Sequence, residues 1–178
     1  KANDLRLSGL IKFDEQFKDF LINYSDLTSK NFSIDGKINL HDLSIKIPNL
    51  NYSKDENTKA DVNFSINSSK FGYHIDRLIY SSGKSIIELD QFILNKKLEI
   101  KDIRNIKVIT FNDNTKNNNF HIGKHETLKN TIFIVGELLD VEPLLKSLYK
   151  TNNKKTLSKD FNSEIKVNLD KTITGSKD

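Results

Sequence analysis

Ala60-Asp61-Val62-Asn63-Phe64-Ser65-Ile66-Asn67 alternates apolar and polar residues with a period of two. Successive side chains of a strand point to opposite faces, so this stretch reads as a β-strand with Val62, Phe64 and Ile66 on one side. Ser68-Ser69-Lys70 then reads as a hairpin turn, after which Phe71, Tyr73 and Ile75 resume the alternation. Upstream, Ile34, Ile38 and Leu40 share one parity. The phase slips by one residue at His41-Asp42, and Leu43, Ile45 and Ile47 carry on until Pro48 ends the run. Such a slip predicts a bulge or a tight bend.

The same reading extends to the end of the chain. Ser81-Ser82-Gly83-Lys84 is a second turn, and apolar runs follow at 86–94 and 98–111. Phe120 and Ile122 mark a short strand and 128–138 a longer one, including Ile132 and Ile134. Ile165, Val167, Leu169 and Ile173 mark the last strand. Two segments carry helical spacing. In 14–24, Phe17, Phe20, Leu21 and Tyr24 stand at i, i+3, i+4 and i+7. In 140–149, Asp140 suits a cap and Pro143 the first turn, and Val141, Leu144, Leu145 and Leu148 form a stripe expected to pack on the sheet. Segments 51–59, 112–119 and 151–163 read as polar loops; the middle one has nothing apolar to bury. Strands following one another at hairpin spacing, without a βαβ rhythm, predict a mostly β, antiparallel architecture.

Composition narrows the function. Ile, Leu, Val and Phe make up 57 of 178 residues, 32%, well above the roughly 20% below which a chain stays disordered. With no Cys there is no disulfide, thiolate nucleophile or Cys-ligated metal. The net charge is +4, but Lys outnumbers Arg 25 to 3, and bidentate readout of phosphates and bases favours Arg. Lys, Asn and Ile all take AT-only codons, so the basicity reads as composition and no nucleic-acid partner is expected. The longest apolar run, Ile132-Phe133-Ile134-Val135, is far short of the roughly 20 residues a membrane helix needs. The sequence begins Lys1-Ala2-Asn3 and contains no Met, so the chain is expected to be a single β-rich segment of a longer polypeptide.

Chemistry-bearing constellations are sparse. His121 and His125 are four apart beside Glu126, but Gly123 between them and the strand-like flanks argue against a helical metal site. His41-Asp42 and His74/Asp76 read as surface pairs at strand ends. There is no nucleophile elbow, Walker loop or dinucleotide fingerprint. The expectation is a protein without catalytic residues, metal or cofactor. Many strands with one apolar face each, in a chain poor in apolar residues overall, leave two solutions. Two sheets close on each other as a β-sandwich, or one long curved sheet keeps its apolar face as a trough for something else to cover. Pattern by itself favours the sandwich.

Three stretches point the other way. Ile47-Pro48-Asn49-Leu50-Asn51-Tyr52-Ser53-Lys54 ends one strand phrase and leads through a polar turn to the strand from Ala60. Short strand phrases run from Asp76 to Thr110. Gly136-Glu137-Leu138-Leu139-Asp140-Val141-Glu142-Pro143-Leu144-Leu145 joins a strand to a short helix. Together, over about residues 30–150, these resemble the AsmA-like proteins of Gram-negative bacteria, bridge-like lipid-transfer proteins. The resemblance implies a taco-like β-groove, anchored in the inner membrane by a segment outside this sequence, lying in the periplasm and conducting phospholipid toward the outer membrane. The implied partners are phospholipid acyl chains, laid along Ile34, Ile38, Leu40, Leu43, Ile45, Ile47, Val62, Phe64, Ile66, Phe71, Tyr73, Ile75, Ile132 and Ile134. The competing class is a sandwich-type adhesion or binding module of an envelope or surface protein, working through its loops.

Overall fold

The computed structural model describes residues 3–13, 16–28, 31–124, 131–149 and 164–175. The strands are β1 (Asn3–Phe13), β2 (Gln16–Thr28), β3 (Asn31–Asn39), β4 (Ile45–Ile47), β5 (Tyr52–Lys54), β6 (Ala60–Ser69) and β7 (Gly72–Ser82). β8 (Ser85–Asn95), β9 (Ile100–Asn112), β10 (Thr115–Lys124), β11 (Thr131–Asp140) and β12 (Glu164–Ile173) follow. A single 3₁₀ turn, Pro48–Leu50, separates β4 from β5, and the helix α1 (Glu142–Tyr149) follows β11. Ten strands form one open sheet in the order β1-β2-β3-β6-β7-β8-β9-β10-β11-β12. β4 and β5 make a separate two-stranded ribbon, so among the described residues no second large sheet closes a sandwich.

The sheet is antiparallel throughout except at its end, where β12 runs parallel to β11. Parallel neighbours need a crossover, and α1 lies within the connection that makes it. Residues directly opposite one another share a face, and the long-range register lines up the apolar positions. Leu7 faces Ile22, Ile22 faces Gly36, and Gly36 faces Phe64. The row continues through Leu78, Leu89, Ile106, Ile122, Ile134 and Val167. A second row runs through Phe20, Ile38, Val62, Tyr80, Ile87, Val108 and Phe120. The other face carries charged pairs such as Lys37–Asp61 at 3.4 Å, Arg77–Glu88 at 3.0 Å and Lys116–Glu137 at 2.9 Å.

The open sheet is compatible with a curved, groove-like shape, and its apolar face carries a recognised device for bending. Three glycines stand opposite phenylalanines: Gly9 opposite Phe20, Gly36 opposite Phe64 and Gly136 opposite Phe120. A Cβ at Gly36 would overlap the Phe64 ring, so the ring occupies the space the glycine leaves. Cross-strand aromatics over glycines let a sheet bend without opening a void.

Several expectations need correction. The segment 14–24 is not the expected helix: its described part, from Gln16 on, belongs to β2, paired with β1 on one side and β3 on the other. A spacing of four is even, so Phe20 and Tyr24 share a face in a strand as well as in a helix, and two flanking strands supply the main-chain partners. Residues 112–119 are not a loop either. Asp113 and Asn114 both have positive φ, 47° and 66°, and turn the chain in two residues before β10 starts at Thr115. Asp and Asn tolerate this left-handed geometry, which suits a tight hairpin. The slip at His41-Asp42 is larger than a bulge, because the chain leaves the sheet after Asn39 and returns at Ala60. In α1 only Val141, just before its first turn, packs on the core; Leu144 and Leu145 are exposed, and the side chain of Leu148 lies outside the described residues. The segment 151–163 also lies outside them.

One prediction concerns the tight crossing at Gly136, where an added Cβ would stand 2.6 Å from the Phe120 Cα. Gly136→Ala is expected to cost about 1–3 kcal/mol in urea denaturation. Gly123→Ala, whose Cβ meets only the Arg104 carbonyl at 3.5 Å, should stay within about 0.5 kcal/mol of the parent. Equal effects at the two sites would contradict the close approach.

Candidate functional site

The feature that organises the molecule is how its apolar face is covered. Residues 40–59 form a lobe over one end of that face. Leu40, Ile45, Ile47, Leu50 and Tyr52 of the lobe pack against Tyr80, Ile87, Val108, Phe120 and Leu139 of the sheet. Tyr52 and Tyr80 meet edge to face, with ring centres 6.0 Å apart and hydroxyls 2.9 Å apart.

A buried polar latch fixes the lobe. β10 bulges at Asn117, so Asn117 and Asn118 reach the lobe side by side. The Asn118 amide donates to the Leu50 carbonyl at 2.7 Å and to the Thr110 hydroxyl at 2.9 Å. Its oxygen accepts the Asp140 N–H at 3.0 Å. Asn117 donates to the Asn51 carbonyl at 2.8 Å and accepts the Thr110 hydroxyl at 2.8 Å. Asn51 donates in turn to the Asp140 carboxylate at 2.8 Å. Thr110 and Asn118 have no solvent exposure at all. Pro48 closes the 3₁₀ turn that aims these carbonyls, and a buried carbonyl left without a partner is costly.

Lys54 closes the lobe on itself by donating to the Leu43 carbonyl at 2.6 Å and the Asp55 carbonyl at 3.0 Å. Burial pushes its ammonium below the ordinary value of 10.5, and the charge of Asp42 opposes that shift. Asp42 also stands 3.7 Å from the buried Lys18. Burial, reinforced by the hydrogen bond to Tyr52, pushes the Tyr80 hydroxyl well above its usual 10.0.

Beyond the lobe the face is only partly covered. In the row from Leu7 to Val167 none of the ten residues is fully buried, whereas the middle of the second row, Tyr80 to Phe120, is. The expected lining residues fall into three groups. Ile34, Ile38, Val62, Phe64 and Ile66 share the apolar face of β3 and β6 in direct register, and Ile134 belongs to the same row at the far edge. Ile75 pairs with Ile66 across a bulge, Tyr73 with Ser68, and Ile132 is buried between β10 and β12. Leu40, Ile45 and Ile47 belong to the lobe instead: they cover the face and do not line it. Leu43 is there too, offering its carbonyl to Lys54. Phe71 sits in the β6–β7 turn, 69% exposed, because the turn extends to Gly72. The row members Leu7, Ile22, Leu78, Leu89, Ile106, Ile122 and Val167 are not among the lining residues expected from sequence, although the same alternation marks them.

Among the described residues no three His, Cys, Asp or Glu side chains converge as metal ligands, and no helix is long and apolar enough to cross a membrane. His125 and Glu126 lie outside the described residues. Comparison with protein-family models, with curated proteins and with solved structures finds no match.

Two predictions follow from the latch and the tyrosine pair. Asn118→Leu strands the Asp140 N–H, leaves the Leu50 carbonyl only the longer bond from Asn117 at 3.1 Å, and is expected to cost about 1–3 kcal/mol. Amide exchange at residues 50–54 should accelerate more than exchange in β8, and unchanged protection there would refute the latch. For Tyr80, the folded state holds its proton more tightly than the unfolded state. Its contribution to stability is therefore complete below pH 10 and declines as pH rises above it. Lys54 has the opposite sign: its lowered folded value makes stability rise as pH approaches 10.5. Tyr80→Phe should remove the decline above pH 10 in a denaturation series; a decline of the same size in the variant would contradict the assignment.

Proposed function

We propose that the chain is part of an envelope β-groove that binds phospholipid acyl chains and conducts them between the inner and outer membranes. The observation that carries this reading is the row from Leu7 through Phe64 and Ile106 to Val167, none of it fully buried, which crosses all ten strands at one level. An apolar strip of this length on one face of a sheet is a binding surface unless something covers it. The resemblance of residues 30–150 to AsmA-like proteins supports a lipid as the occupant, with an inner-membrane anchor outside this sequence and a periplasmic setting.

Acyl chains suit such a row physically. Each CH₂ removed from water contributes about 0.8 kcal/mol, and the contact has no preferred direction. A chain is held in sum yet slides along the strip without crossing a polar barrier. No residue has to perform a chemical step.

A photo-crosslinking residue at position 64 is expected to capture phospholipid when the protein is expressed in a bacterial envelope. The same residue at 63, on the opposite face of β6, should capture none. Position 45, which the notion of a continuous strand would place in the groove, should crosslink within the protein because it belongs to the lobe. Lipid adducts at 63 and 64 alike, or at neither, would overturn the proposal.

A further inference from the structure

Phe71 and Leu98 are the most exposed large apolar side chains among the described residues, at 69% and 66%. Both sit at the same end of the sheet, away from the lobe: Phe71 in the β6–β7 turn and Leu98 in the β8–β9 turn. The two turns are neighbours, because Gly72 pairs with Asn95 across β7 and β8. Lysines surround both. Lys70 lies 4.8 Å from the centre of the Phe71 ring. Lys96 reaches from the second turn to within 5.1 Å of the Tyr73 ring in the strand that leaves the first. Lys97 precedes Leu98 directly.

The exposure of Leu98 is built in. Its φ is 61°, a left-handed conformation in which a bulky residue is an outlier and Gly or Asn would sit without strain. Asn95 holds the turn in that shape. Its carbonyl accepts the Leu98 N–H at 3.0 Å, and its side-chain oxygen accepts the N–H groups of Lys97 at 2.9 Å and Glu99 at 3.0 Å. The Asn95 amide donates to the Glu99 carboxylate at 2.8 Å. A rigid turn therefore presents a leucine outward at a position where its conformation is unfavourable.

We infer that these paired turns form a membrane-contact tip, with Phe71 and Leu98 entering the interface of an anionic bilayer and Lys70, Lys96 and Lys97 meeting its headgroups. Two apolar side chains among three cations, with the Glu99 carboxylate engaged by Asn95, match a surface that is apolar below and negative above. A protein partner would bring its own shaped pocket; two adjacent turns with a small apolar area and clustered lysines fit a fluid, anionic layer better. The inference stands whether or not the apolar face of the sheet holds acyl chains.

The chain has no Trp, so single tryptophans report the contact directly. Phe71→Trp and Leu98→Trp are each titrated with vesicles of phosphatidylcholine containing about a third phosphatidylglycerol. Both should show a blue-shifted, brightened emission. Leu10→Trp, equally exposed but four strands away on β1, should not. Replacing Lys70, Lys96 and Lys97 by Glu should weaken vesicle binding more than about a hundred-fold, each basic charge near an anionic surface being worth roughly a factor of five. High salt should weaken binding of the parent in the same direction. Absence of a shift at 71 and 98, an equal shift at 10, or binding as tight to pure phosphatidylcholine would each overturn the inference.

Discussion

An amphipathic sheet must put something against its apolar face, and the rest of this structure depends on how far the chain meets that demand. Ten strands in near-continuous register align Ile, Leu, Val and Phe on one side. Among the described residues one lobe of about twenty residues covers them, seated over β7 to β11 at one end. That lobe is held by a polar device, since the Asn117 and Asn118 amides both donate to the Leu50 carbonyl and the buried Thr110 hydroxyl bonds to each of them. One end of the face is closed by specific, directional bonds, and the remainder carries no comparable cover among the described residues.

The same asymmetry orders the ends of the sheet. The lobe and the residues preceding α1 occupy the end reached by β3, β9 and β11. The opposite end carries the Lys-rich turns with Phe71 and Leu98. A face capped at one end and bordered at the other by an apolar, cationic tip has a direction. The edge strands β1 and β12 are long, with Leu5, Leu7, Ile165 and Val167 exposed, and both carry charged side chains of the kind that guard free edges, Arg6 and Lys12 on β1 and Lys166 and Lys171 on β12.

Much of this was legible in the residues, and the failures have physical causes. The alternation in 60–66 fixed β6, and the parity of Ile34 and Ile38 placed them opposite Ile66 and Val62. The alternation that resumes one residue out of phase at Ile45 and Ile47 misled, because alternation states that a strand exists and not which sheet it joins. Phe17, Phe20, Leu21 and Tyr24 misled because spacings of three and four fit a helix while the even spacings also fit a strand. The run Asn117-Asn118-Asn119 misled most. Asn reads as a surface residue, yet an amide that meets two main-chain groups and a hydroxyl is better buried than exposed. Only the tertiary position of Leu50, 68 residues away, reveals that need.

Whether the apolar row from Leu7 to Val167 holds lipid is answered most directly by native mass spectrometry of the protein extracted gently from a bacterial envelope. The reading of an acyl-chain groove requires a bound species whose added mass and fragments are those of a phospholipid, lost when Phe64 and Ile106 are together replaced by Ser in a variant that keeps its fold. A bare chain under the same conditions, or phospholipid retained equally by that variant, would contradict it.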